Sequence, residues 1–254
     1  MTDASTPPLV GHTAQSALIR DLADVARLHE ERRADPKLAR ALERLGAWQA
    51  LRLRQTYADL EAEPRYADAV TFFETDLYGG ADFSQRDADL ARVVPIMVRM
   101  LPERVIATIA QAMELNALSQ ELDRALLARL PSADGDFTVA DYCAAYRRVD
   151  NRSARERQIH LMADIGAALD RFVTKPLIRT ALVMMRQPAR LAGMSVLHDF
   201  LERGFGAFRK MDGASLFLST IVTRETALME AILSGAAAPF PDPLLAAEGA
   251  PLRG

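Results

Sequence analysis

The chain has 254 residues, half of them apolar, with 26% charged and a formal net charge of −3. That length can bury a large core without disulfides or a structural metal, and the near-balanced charge gives no global reason to expect DNA, RNA or an anionic membrane as partner. Cys143 is the single cysteine, which excludes an internal disulfide and a multi-cysteine zinc site and fits a reducing compartment.

The opening residues lack a basic region followed by an apolar core, so no signal peptide is expected. No apolar run approaches the roughly 18 residues that a transmembrane helix needs. A cytoplasmic protein is the expectation. Pro7 and Pro8 place a flexible segment over residues 1–13. Helical period then dominates. The spacing predicts a helix over about 14 to 33 and a second from Pro36 toward 61, carrying Leu38, Leu42, Leu45 and Trp48. Pro64 opens a third, with Tyr66, Ala69, Phe73 and Leu77 three or four apart, and Gly79 and Gly80 stop it.

Ser84 suits a helix cap, with Leu90, Val94, Met97 and Leu101 as the inward stripe that follows. Pro95 is expected to kink or split that helix. Pro102 begins a long helix ending near Leu130. The turn-forming stretch "PSADGDF" is the best boundary between two packed halves, near 131–137. A short helix over 138–149 and another from Ser153 to about 175 follow. Pro176 and Pro188 punctuate the next region, and Ser195 reads as a cap. Two last helices carry Leu197 to Phe208 and Leu218 to Ile232. The fold expected is all-α: one compact bundle of eight or nine helices over 14–234, some kinked at proline, with a flexible tail over 235–254.

Three carboxylates fall where a helix normally places hydrocarbon. Asp76 shares the arc of Val70, Phe73 and Leu77; Asp123 and Asn116 sit within the side defined by Val105, Ile109 and Leu127; Glu225 lies among Ile221, Leu228 and Ile232. A buried carboxylate costs several kcal/mol, on the order of 3–5, unless paired and hydrogen-bonded, so each predicts an arginine, tyrosine or backbone partner. The sequence leaves three readings open: an internal polar network, a ligand pocket, or an acid–base or metal site. No Glu-x-x-His pair of the kind carboxylate bundles use for two metals occurs. His160, with Glu156 and Asp164 four residues to either side, reads as an ion-pair ladder. His198, one turn before Glu202, could form a hydrogen-bonded pair and a general base, although no nucleophile can be assigned to it. Cys143 reads as packing.

Arg171, Lys175, Arg179, Arg186 and Arg190 share one side if a helix continues through them, which suits carboxylate or phosphate groups, a subunit contact or solvent. In "GFGAF" the glycines at 204 and 206 read as sites of close helix approach. No zinc-finger, phosphate-loop or RNA-binding motif is present, and nucleic acid is not an expected partner.

The segments "RYADAVTFFETDLYG" and "RDADLARVVPIMVRMLP", with the later "RERQIHLMADIGAALDRFVTKPLIRTALVMMRQPARLAG" and "FLERGFGAFRKMDGASLFLSTIVTRE", resemble a bacterial family known by an FFLEELY-type motif. The likeness covers about residues 64 to 230. Thr75 and Asp76 depart from the motif, with the acidic character kept at Asp76. The resemblance implies a bacterial cytoplasmic setting and supplies no reaction, ligand or cofactor. The leading expectation is a non-enzymatic helical protein that binds a protein partner or self-associates. The alternative is a small-molecule or anion binder in which Asp76, Asn116, Asp123 and Glu225 converge with Arg186 or Arg190, with His198 and Glu202 as further ligand candidates. A metal-dependent or hydrolytic enzyme is third. No cofactor and no bound metal are expected.

Overall fold

The computed structural model describes residues 10–78, 83–132, 136–236 and 238–244, and of residues 10–13, 77 and 78 only the backbone. Among these residues the fold is all-α, with eleven α-helices and one π-helical turn: α1 Val10–Ala34, α2 Pro36–Thr56, α3 Ala58–Ala62, α4 Ala67–Phe72, the π turn Phe73–Tyr78, α5 Ser84–Met100, α6 Glu103–Leu127, α7 Val139–Val149, α8 Arg152–Val173, α9 Pro176–Leu191, α10 Ser195–Met211 and α11 Ser215–Leu233. Eight or nine was too few. The helix expected from Pro36 to about 61 breaks at Tyr57, whose backbone leaves the helical region while its hydroxyl reaches across to Glu225. The expected glycine stop at Gly79 and Gly80, most of residues 1–13 and the end of the tail lie outside the described residues.

Local chemistry explains most boundaries. Asp35 caps α2 by accepting from the amides of Lys37 and Leu38, with Pro36 at the first helical position. Thr138 and Asp141 form a reciprocal capping box at the start of α7. Asn151 caps α8. Ser84 and Ser195, expected as caps, are instead the first residues of α5 and α10, one place inside the capping positions held by Phe83 and Met194. Pro95 lies within α5 and Pro188 within α9 without ending either helix.

Among the described residues three large apolar clusters, with a smaller one of Val25, Leu28 and Ala117 between α1 and α6, hold the bundle together. Tyr66, Phe72, Phe73, Phe208 and Phe217 join α4, α10 and α11. Trp48, Leu126, Tyr142 and Ile232 join α2, α6, α7 and α11. Leu18, Leu90, Ile106, Met113 and Leu197 join α1, α5, α6 and α10. The first described residues after α11 lay Phe240 against Trp48 at 5.8 Å and Tyr142 at 6.2 Å, while Gln55 Nε2 donates to the carbonyls of Asp242 and Pro243. No helix among the described residues is long and apolar enough to cross a membrane.

Candidate functional site

The acidic residues expected to converge occupy two separate places. Asp123 on α6 and Glu225 on α11 line one chamber of about 90 Å³, closed in by α2, α7 and α8. That is room for about half a dozen waters, or for a small organic molecule in their place. Two sets of polar residues line its walls. Arg52 Nη1 donates to Glu225 Oε1 at 2.6 Å, and the Tyr57 hydroxyl donates to the same oxygen at 2.8 Å. Burial opposes the charge on Arg52, but Glu225 outweighs it and raises the arginine further above its ordinary value. This pair is therefore a self-neutralised wall.

The other wall is not. Asp123 accepts at Oδ1 from Gln49 Nε2 at 2.9 Å. Burial, the largest influence, pushes its carboxyl above the ordinary aspartate value, with the Gln49 bond and the charge of Arg155 acting the other way. Arg155 is 8% exposed, lies over the Tyr146 ring at 4.5 Å and donates through Nη1 to Gln158 at 3.2 Å. Its Nη2 is buried without a hydrogen-bond partner. Among the described residues no ion pair joins Arg155 to Asp123, although both face the chamber. Burial also raises Tyr142 and Tyr146, which keeps both hydroxyls protonated and able to donate.

Asp76 and Asn116 belong to a second network, bonded throughout except at the buried Nδ1 of His29. Asp87 on α5 accepts from His29 Nε2 at 2.9 Å, Arg86 Nε at 2.8 Å and Asn116 Nδ2 at 2.7 Å. Arg86 is sandwiched between the rings of Phe83 and Phe200 and also donates to the Asp76 carbonyl at 3.2 Å. The Asp76 carboxylate takes both Nε and Nη2 of Arg203, a bidentate fork, and the Thr75 hydroxyl at 3.0 Å. With its donors supplied by protein, this network fixes α1, α5, α6 and α10 against one another. Asp87 itself was missed in the sequence. The signal was there: Asp87 precedes Leu90 and Val94 at helical spacing on the buried stripe.

His198, Glu202, Arg186 and Arg190 lie apart from both, between α9 and α10. The bond expected between His198 and Glu202 does not form. His198 Nε2 donates instead to the Leu182 carbonyl at 2.8 Å, and Nδ1 faces Asp199 at 3.9 Å and Glu202 at 3.8 Å. Among the described residues these three could hold a divalent cation, since their ligand atoms lie within 4.8 Å of one another and a fixed Nε2–H orients the ring. Arg186 already holds Glu202 Oε1 at 2.7 Å, which weakens the corner for a cation. Arg190 is exposed. His160 Nδ1 engages the Glu156 carbonyl at 2.7 Å. Cys143 is wholly buried and its thiol is pushed up to about 11 by burial, as befits packing.

Among the described residues α9 turns an apolar seam outward. Of the sixteen residues of α9, only Ala189 is buried. Leu177 is 84% exposed, Met184 71% and Leu191 88%. With Ala181 and Pro188, also exposed, they are spaced four, three, four and three apart. At about 100° per residue that spacing keeps all five within roughly 80° of one another.

The model of a protein family described as "Domain of unknown function (DUF8198)" matches residues 28–239. No curated protein and no solved structure matches the chain.

Proposed function

The chain belongs to the DUF8198 family, and we propose that it acts as a non-enzymatic helical interaction protein that pairs with a second copy of itself through α9. The observation that carries this reading is the outward seam Leu177–Ala181–Met184–Pro188–Leu191. A four–three spacing of apolar residues is the pattern with which one helix packs along another, and here it faces solvent. The positions flanking the seam are Ile178, Thr180, Met185 and Gln187, all neutral. The basic residues Arg179, Arg186 and Arg190 lie on the far side of the helix. Two copies can therefore meet about a twofold axis without like charges opposing each other. Met184 and Met185 adapt their shape to a partner surface. A bacterial cytoplasm is the setting that the resemblance to FFLEELY-motif proteins implies for such an assembly.

A seam of two heptads buries less than the roughly 1,200 Å² typical of stable complexes, so association with a dissociation constant of about 1–100 µM is expected. Sedimentation of the full chain from about 1 to 300 µM tests it. Met184→Glu is expected to abolish dimerisation with the melting temperature unchanged, whereas Leu216→Glu, on an equally exposed residue of α11, leaves the dimer intact. A monomer at every concentration, or equal loss in both variants, overturns the reading.

A further inference from the structure

From two charged side chains that line the chamber without an ion pair between them, we infer that it is a binding site for a small zwitterion, a molecule carrying one carboxylate and one ammonium group. The inference is independent of α9 and stands on the interior alone. Arg155 is more than nine-tenths buried and keeps Nη2 without a partner, while its Nη1 and its ring face are already engaged. A buried guanidinium N–H with no acceptor costs about 1–3 kcal/mol, so the site is complete only when an oxygen reaches it. The Asp123 carboxylate has a single donor, Gln49, and no cation in contact among the described residues.

Arg155 acts on Asp123 only at a distance, since both line one cavity with no ion pair or hydrogen bond between them among the described residues. A lone anion answers Arg155 but meets Asp123. A lone cation answers Asp123 but meets Arg155. A molecule with both groups satisfies the two walls together and leaves the interior charge unchanged. The volume of about 90 Å³ admits a short backbone between those groups. Tyr142 and Tyr146 add hydroxyl donors and apolar ring surface to its sides. Arg52 and Glu225 neutralise each other and so do not compete for it.

The test is calorimetric titration of the full chain with glycine, L-alanine, β-alanine and γ-aminobutyrate, with acetate and ethylamine as single-charge controls. At least one zwitterion is expected to bind about tenfold or more tightly than either control, and the spacing of its groups identifies the length the chamber takes. Asp123→Asn is expected to weaken that ligand about tenfold while tightening acetate, which no longer meets a second carboxylate. Arg155→Met removes the carboxylate partner. Should that variant not fold, Tyr146→Phe, which keeps the ring beneath Arg155, is expected to weaken binding severalfold. No binding by any zwitterion at about 10 mM, which leaves the chamber to water, acetate binding as tightly as the best zwitterion, or indifference to Asp123→Asn each overturns the inference.

Discussion

His29 Nε2 meets Asp87 Oδ2 at 2.9 Å although the two residues are 58 positions apart, and both are buried. Burial, the largest influence on the Asp87 carboxyl, pushes it up; the bonds from His29, Arg86 and Asn116 together outweigh burial and hold it below the ordinary value. Asp87→Ala strands His29 and Arg86, and a loss of about 3–5 kcal/mol is expected in urea unfolding. A carboxyl whose folded pKa is depressed contributes stability above its unfolded value, near 4, and that contribution disappears as the pH falls through the folded value. The gap between wild type and variant should therefore narrow below about pH 4.

Asp123 carries the opposite sign. Its folded carboxyl titrates above the unfolded one, so ionisation inside the fold costs stability as the pH rises from about 4 through the folded value. Asp123→Asn keeps an acceptor for Gln49 without that loss. The variant is expected to match wild type near pH 4 and to melt at a higher temperature at pH 7. A lower melting temperature at pH 7 would contradict the assignment.

Two glycines of α10 should respond in opposite directions. A Cβ on Gly204 would stand 2.9 Å from the Phe72 ring, whereas nothing lies within 4 Å of one on Gly206. Gly204→Ala is expected to destabilise by about 1–3 kcal/mol through overpacking. Gly206→Ala should gain about 0.5–1 kcal/mol, the ordinary helix-propensity difference. Chemical denaturation of the two variants side by side is the check.

Trp48 is the single tryptophan and reports on the segment after α11. Phe240 packs edge-on to it, with Phe137 and Tyr142 on its other sides. Phe240→Ala should cost about 1–3 kcal/mol and move Trp48 emission to longer wavelength as water gains access. Unchanged emission would show that this segment does not shield the indole.

The helices were legible because apolar residues recur at a period of 3.6, a local property that survives without knowledge of neighbours. Asp123 and Glu225 were found the same way, by their place on an apolar arc. Their companions were harder. Arg52 follows Leu45 and Gln49 at helical spacing on the buried face of α2, and Arg155 precedes Ile159 and Met162 on that of α8. Both signals were present in the pattern. Which carboxylate each arginine faces depends on how five helices are stacked, and no window along the chain carries that information. The same limit explains why Asp76 and Asn116 went to a different network from Asp123. It also explains the break at Tyr57, where a contact with Glu225, 168 positions away, accompanies the departure from helical backbone.

The π-helical turn over Phe73–Tyr78 sits between two segments whose register must otherwise agree. Such a turn holds one more residue than an α-turn in the same span. Shortening the chain by a residue at Thr75 would let the backbone relax to ordinary helix and swing the rest of the turn by about 100°. Asp76 would then rotate off Arg203, and Arg86 would lose the carbonyl it holds. The surplus residue thus sets the phase at which Asp76 leaves the aromatic core of α4 to meet arginines from α10 and α5.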